Sequence, residues 1–264
     1  MTEFAGASQS MLLPVRRVGV EEPWAWLTAG WRDLSRAPTV SLTYGAAFVA
    51  VSFLLTLGLW LFGLFYLVLP LAAGFMLVGP VVAVGLYEVS RRLELGQSVT
   101  LADTLAAWRT HRGPIATMGL LLMFFLLAWI WLAFLIFALF FGPAPPSWEH
   151  LVTTLLFTTD GIPFLIVGIA VGGVHAAFVF AMTAVAIPAL LDRDIGVLSA
   201  ILTSFVAVLR NWRIMIGWGA LIVVFTAAGL VTFYLGLAVT LPLVARQLAC
   251  LSRPGASRFP LINP

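Results

Sequence analysis

The chain has 264 residues, of which 62% are hydrophobic and only 9% charged. Soluble domains carry about 25% charged residues, so a chain this apolar lacks the polar surface to stay in water, and a bilayer is the solvent that suits it. Its 14 basic residues are all arginines, set against 11 acidic ones; they lie between apolar runs, as the loops of a membrane protein do, which argues against nucleic acid as a partner.

In chain order, residues 1–22 read as a short, polar, disordered lead. The first apolar run begins near residue 39, too late for the apolar core of a cleavable signal. Runs of ~20 apolar residues predict membrane spans. They fall at residues 40–62, 65–89 (with Pro70 and Pro80 inside), 114–141, 162–191 (with Pro163 and Pro188 near its ends), 214–234 and 235–251. The last is short. The expected fold is all-α: a polytopic bundle of about six transmembrane helices, forming one membrane domain over residues 23–251, with a tail at 252–264.

The charges test this topology. Arg16, Arg17, Arg32 and Arg36 precede the first span, and Arg91, Arg92, Arg109 and Arg112 lie between the second and third. Arg193, Arg210 and Arg213 lie between the fourth and fifth, and Arg246, Arg253 and Arg258 follow Pro242. All the arginines therefore fall on one side, while the other carries only Glu149 and Asp160. By the positive-inside rule, that side and both termini are expected in the cytoplasm of a bacterium, with the protein in its inner membrane.

Three segments on the arginine side read as amphipathic interfacial helices. Trp24, Leu27, Trp31 and Leu34 fall on one helical face, as do Leu101, Leu105 and Trp108, and again Leu198, Ile201, Phe205, Val208 and Trp212. Each ends on an arginine (Arg36, Arg112, Arg213) just before a span begins, where tryptophan and arginine suit the headgroup layer. Each outgoing span is followed by a returning one that carries a proline, at 80, 188 or 242. The pattern is one of three diverged hairpins. An outer insertion at residues 142–161 holds Pro143, Pro145 and Pro146, and residues 148–158 within it read as a further interfacial helix.

Four stretches carry a family resemblance: Trp31-Arg32-Asp33-Leu34, residues 79–88 (Gly-Pro-Val-Val-Ala-Val-Gly-Leu-Tyr-Glu), residues 186–193 (Ala-Ile-Pro-Ala-Leu-Leu-Asp-Arg), and residues 204–213 ending Arg210-Asn211-Trp212-Arg213. Over residues 15–244 the chain resembles the bacterial membrane family DUF2189. More distantly, a span ending Pro-x-Leu-Leu-Asp, followed by a helix ending near Asn-Trp, is similar to the membrane domains attached to some glycerophosphodiesterases. The resemblance implies a polytopic inner-membrane protein and brings no catalytic residues with it. Some members are described as a cytochrome oxidase subunit I, which needs more histidine ligands than the three of this chain, His111, His150 and His175. The description is at most a hint of association with respiratory enzymes.

Residues 245–264 depart from the family, whose members end on a run such as His-Ala-Thr-Trp-His-Ala-Tyr-Arg. Suitable codons for Gln247 to Pro254, read one base later, encode Asn-Trp-His-Ala-Tyr-Arg-Asp-Leu. This motivates the hypothesis of a frameshift near Val244, which would make Cys250 an artefact; resequencing that found no insertion or deletion would remove it.

Among individual residues His175 stands out, because an ionisable group within a span is costly and a functional suspect. It follows Gly172-Gly173-Val174. The functional reading is a weak cofactor-binding candidate. The preferred structural reading is a neutral imidazole hydrogen-bonded between helices, since His111 and His150 are expected at opposite faces of the membrane. Tyr87 and Glu88 beside Arg91 and Arg92 read as an interfacial ion pair rather than a gate, and Asp194 as a helix N-cap. Thr100-Leu101-Ala102-Asp103 matches a capping box. Lipid-headgroup candidates are Arg36, Arg112 and Arg213 with Trp31, Trp108 and Trp212. No phosphate loop, zinc-binding helix motif or nucleophile elbow is present. No catalytic residue, metal ligand or cofactor is expected. The leading expectation is a non-enzymatic accessory, assembly or lipid-contacting scaffold protein, its partners membrane lipids and a larger membrane complex, respiratory or other. The alternative is a small-solute permease or channel built on the internal repeat.

Overall fold

The computed structural model describes residues 13–110, 112–142 and 151–249. The chain forms α1 (Glu22–Arg36), α2 (Pro38–Leu61), α3 (Val68–Val82), α4 (Val84–Glu94), α5 (Leu101–Thr110), α6 (Arg112–Phe141), α7 (Leu151–Phe157), α8 (Gly161–Thr183), α9 (Ala186–Asp192), α10 (Val197–Arg210), α11 (Trp212–Val231) and α12 (Leu237–Ala249). Five stretches are long and apolar enough to cross a membrane: Pro38–Leu61, Phe65–Glu94, Arg112–Phe141, Gly161–Asp192 and Trp212–Val231. They match the first five expected spans to within a few residues. The protein is an integral, all-helical membrane protein.

The sixth expected span is α12, which has 13 residues. At 1.5 Å per residue it reaches about 20 Å, short of a hydrocarbon core of about 30 Å. It packs instead against α1, α2, α4 and α11. Two glycines make room for it: a Cβ on Gly30 would strike the Leu243 carbonyl, and one on Gly45 would strike the Ala238 backbone. Small residues that let backbones approach are how helices associate where hydrocarbon removes the hydrophobic drive between them.

The threefold pattern is plain in the backbone. α1 passes into α2 through one residue, Ala37; α5 ends at Thr110 and α6 starts at Arg112; α10 passes into α11 through Asn211. The first two return spans are broken. α8 stops at Thr183 and α9 starts at Ala186, because Pro188 has no N–H and its ring crowds the carbonyl four residues back. The Ser204 hydroxyl of α10 fills the gap, accepting from Val185 N at 3.0 Å and donating to Ala181 O at 2.7 Å. The other return span breaks at Ala83, after Pro80, where the Tyr44 hydroxyl of α2 donates to Val82 O at 2.7 Å. Side chains entering the backbone ladder are a recognised cause of such kinks.

The packed core lies toward the arginine-bearing end. It joins the starts of the outgoing spans (Ile115, Met118, Leu122, Met215, Trp218) to the ends of the returning ones (Val84, Tyr87, Val185, Ile187, Leu190), with Trp26 of α1 meeting Trp218 edge to face at 5.3 Å. Helices α4 and α5, α9 and α10, α4 and α9, and α1 and α4 pack on one another there.

Two expectations are corrected and two helix faces are refined. The lead is not disordered throughout 1–22: in residues 13–21 Leu13 N donates to Thr203 Oγ1, Val18 N to Asn211 Oδ1, Arg210 to Val15 O and Asn211 Nδ2 to Arg16 O. On α1 the buried residues are Pro23, Trp26, Ala29, Gly30, Asp33 and Leu34; of the expected stripe, Leu34 is buried and Leu27 packs on the core, while Trp24 and Trp31 are exposed. On α10 the fully buried residues are Ala200, Thr203, Ser204 and Ala207, while Ile201, Phe205 and Val208 of the expected apolar stripe are partly buried against the same core and Leu198 is exposed. The residue at the α10 N-cap is Gly196 and not Asp194. Residues 1–12, 143–150 and 250–264 lie outside the described residues, and with them Cys250, His150 and most of the departing tail; His111 lies outside them too.

Candidate functional site

Helices α3, α6, α8, α11 and α12 do not close on one another along their whole length. Between them lies a chamber of about 1200 Å³, above the 300–1,000 Å³ usual for ligand sites. Its wall includes Tyr66, Met76 and Pro80 from the second span, Phe134 and Phe137 from α6, Phe164 and Phe180 from α8, Ile216 and Val223 from α11, and Leu241 from α12. No Asp, Glu or Arg is among the lining residues. Lining residues such as Ile169 on α8 and Ile216 and Val223 on α11 are themselves exposed. The chamber therefore opens sideways between α8 and α11, which both line it without packing closely together. In a bilayer that mouth faces hydrocarbon.

Trp129 is the hub of one wall. Its indole N–H donates to the Pro70 carbonyl of α3 at 2.9 Å, and its six-membered ring lies against Gly172 of α8, where a Cβ would come within 2.8 Å of it. His175 tilts against Trp129 at 6.1 Å between ring centres and meets Phe125 at 5.7 Å. Its Nε2 is 3.1 Å from the Phe125 carbonyl oxygen. A carbonyl only accepts, so Nε2 carries a proton and donates. This is the helix-to-helix hydrogen bond expected of His175, and it places the residue in the chamber wall. Among the described residues no three His, Cys, Asp or Glu side chains come together as a metal site would require.

At the arginine-bearing end of the chamber stands Tyr87, 2% exposed, whose hydroxyl has no hydrogen-bond partner among the described residues. Thr240 Oγ1, beside Gly229 at the seam of α11 and α12, is likewise buried and unpartnered. Both residues line the chamber, as do Ala83 and Ala181 at the two broken return spans.

Glu88 points elsewhere. It takes a forked pair of bonds from Arg91, both at 2.6 Å, and one from Arg92 at 2.9 Å, while Arg92 reaches Asp103 of α5 at 3.1 Å. This network clamps α4 to α5 and is the structural ion pair expected of these residues. The capping box is formed: Asp103 Oδ2 accepts from Thr100 N at 2.9 Å and Thr100 Oγ1 at 2.7 Å, and Thr100 Oγ1 accepts from Asp103 N. These bonds hold the Asp103 carboxyl below its ordinary pKa.

The headgroup candidates are not gathered into one site. Arg36, Arg112 and Arg213 are exposed at the starts of three different spans. Arg213 lies over the Trp212 ring at 5.2 Å, and Trp212 forms part of the chamber rim. Trp31 is exposed and Trp108 half-buried against the core. Sequence reasoning missed Trp129, Ser204 and the chamber itself.

Comparison with known proteins bears out the resemblance seen in the sequence. The model of the family DUF2189, described as a predicted integral membrane protein, matches residues 68–192. That stretch runs from α3 to the end of α9 and contains the two broken return spans. It is narrower than residues 15–244, and the Trp31 and Trp212 stretches fall outside it. No curated protein and no solved structure matches the chain.

Proposed function

We propose that this relative of DUF2189 is a non-enzymatic membrane protein that works through lipid contact, as an accessory or scaffold component whose chamber admits bilayer hydrocarbon. One observation carries the reading: a chamber of about 1200 Å³ among the spans is lined without an acid or an arginine and lies open between α8 and α11, which do not pack closely together. Ion-coupled carriers place charged side chains along their path, and an aqueous conduit needs a polar wall. The exposed Trp24, Trp31 and Trp212 with Arg36, Arg112 and Arg213 supply an aromatic and cationic belt suited to anionic headgroups. By the arginine distribution, that belt and both termini face the cytoplasm of a bacterial inner membrane.

The test is purification of the tagged full chain in lipid nanodiscs, with mass spectrometry of co-isolating proteins and lipids. A stoichiometric protein partner or retained lipid supports the reading. A lone protein stripped of lipid without loss of fold contradicts it. A second reading, a conduit for an apolar solute, draws on the same chamber and its two broken helices. Flux of an apolar solute into liposomes that depends on the protein would favour it.

A further inference from the structure

Residues 13–18 are strapped across the junction where α10 passes into α11. Leu13 N donates to Thr203 Oγ1, Val18 N to Asn211 Oδ1 at 2.9 Å, Asn211 Nδ2 to Arg16 O at 3.0 Å, and the Arg210 guanidinium to Val15 O at 3.1 Å. Positions 195 apart in the sequence are joined in this way, and Asn211, which makes the tie, is buried. The strap carries Arg16 and Arg17; the junction carries Arg210 and Arg213, whose Cα atoms lie within about 8 Å of that of Asn211. All four arginines are exposed. Among the described residues none of them makes an ion pair, and neither do Glu21 and Glu22, the next acids after the strap. Arg91 and Arg92, on the same side of the membrane, are by contrast paired with Glu88 and Asp103. Topology alone does not ask for such a gathering, since the positive-inside rule is met by arginines anywhere in the loops. Like charges drawn together repel, and Arg213, the second residue of α11, also opposes the positive end of the helix dipole. An anion offsets both costs.

The level in the membrane says which anion. With 20 residues α11 is about 30 Å long, the thickness of the hydrocarbon core, so its first turn stands among the headgroups. Leu209 and Trp212 beside the arginines are exposed and line the chamber, and Arg213 lies over the Trp212 ring at 5.2 Å. We infer that the strapped junction is a binding site for an anionic phospholipid. Arg16, Arg17, Arg210 and Arg213 hold its phosphodiester, and its acyl chains start at Leu209 and Trp212. The inference rests on the lipid-contact reading and narrows it to a headgroup class and a place. Guanidinium groups suit the task, because their planar fork of N–H donors matches phosphate oxygens two at a time. A phosphatidylcholine headgroup carries its own ammonium, which the arginines repel.

The experiment titrates the full chain, in phosphatidylcholine nanodiscs, with a phosphatidylglycerol bearing a diazirine at the top of one acyl chain, and maps the labelled peptides. Saturable labelling within residues 205–216 is expected, competed by unlabelled phosphatidylglycerol and not by added phosphatidylcholine or by excess inorganic phosphate. Arg16→Gln with Arg17→Gln alters only exposed side chains and leaves the backbone bonds of the strap, so the fold is retained. Half-saturation should rise about 10–30-fold, at about fivefold for each arginine beside an anionic headgroup. Arg210→Gln with Arg213→Gln should shift it in the same direction, and Arg109→Gln, exposed on α5, should leave it unchanged. Labelling of the Arg16→Gln and Arg17→Gln protein indistinguishable from the parent overturns the proposal. Displacement of the label by inorganic phosphate also overturns it, by assigning the patch to a soluble anion. Equal competition by phosphatidylcholine overturns it while leaving the broader lipid-contact reading standing. A purified chain that keeps its fold with every lipid stripped away would bring down both.

Discussion

At the scale of single residues, the membrane changes what a polar side chain means. His175 was legible as an outlier because an imidazole in mid-span has little else to bond than its neighbours. The structure gives it the carbonyl of Phe125, and ring contacts with Phe125 and Trp129. His175→Phe keeps the aromatic packing and removes one hydrogen bond. The expected loss is about 1 kcal/mol, a fall of roughly 2–4 °C in thermal midpoint, with no bound chromophore or metal lost. A collapse of the fold, or disappearance of a tightly held metal, would show that the residue does more than join α6 to α8. Trp129 was not legible: nothing in the sequence separates it from Trp131, which is exposed. The difference arises only when α3 and α8 arrive with Pro70 O and Gly172 on its side of the helix.

At the scale of elements, spans were read well because a run of apolar residues long enough to cross hydrocarbon has few other uses. Pro188 marked its break and Thr100 with Asp103 marked a helix start. Faces of the short helices were read in part. On α10 the expected large apolar residues Ile201 and Phe205 do pack on the core, but the fully buried positions beside them are Ala200, Ser204 and Ala207, which a search for large apolar side chains passes over. Ser204 provides a test of that packing. Replacing it with alanine leaves Val185 N and Ala181 O without their partner in a fully buried place. Ser204→Ala should destabilise by about 1–3 kcal/mol, while Ser35→Ala, on an exposed hydroxyl bonded to Trp31 O, should change the midpoint very little. Equal effects would refute the bridging role.

The α5 cap is a second test at this scale. Its carboxyl has a lowered pKa in the folded state, so its stabilisation is fully present above the ordinary aspartate value and disappears as pH falls through the lowered one. Amide exchange across residues 101–110 should accelerate in that acid range and not between pH 6 and 8. Asp103→Asn should abolish the dependence.

At the scale of the whole molecule, three hairpins of similar plan give an unequal bundle. Two complete hairpins carry broken return spans, and the third ends in a helix of 13 residues lodged between α1 and α2. The short third return leaves α11 with fewer neighbours than a full hairpin would provide. The gap from α11 to α8 is the mouth of the chamber. Composition could announce that the protein lives in a bilayer, since a charged fraction of 9% allows little else. It could not announce a chamber, because lining residues and lipid-facing residues are drawn from the same apolar alphabet.

The central claim is that the chamber holds hydrocarbon rather than water. Spin labels at Ala177→Cys and Ile222→Cys, in a Cys250→Ser background and reconstituted in liposomes, report this by collision with dissolved oxygen or with a water-soluble nickel chelate. High oxygen accessibility with low nickel accessibility, matching a label at the exposed Leu120 of α6, is the result predicted. Nickel accessibility well above that of the Leu120 label would mean a water-filled lumen and would contradict the account.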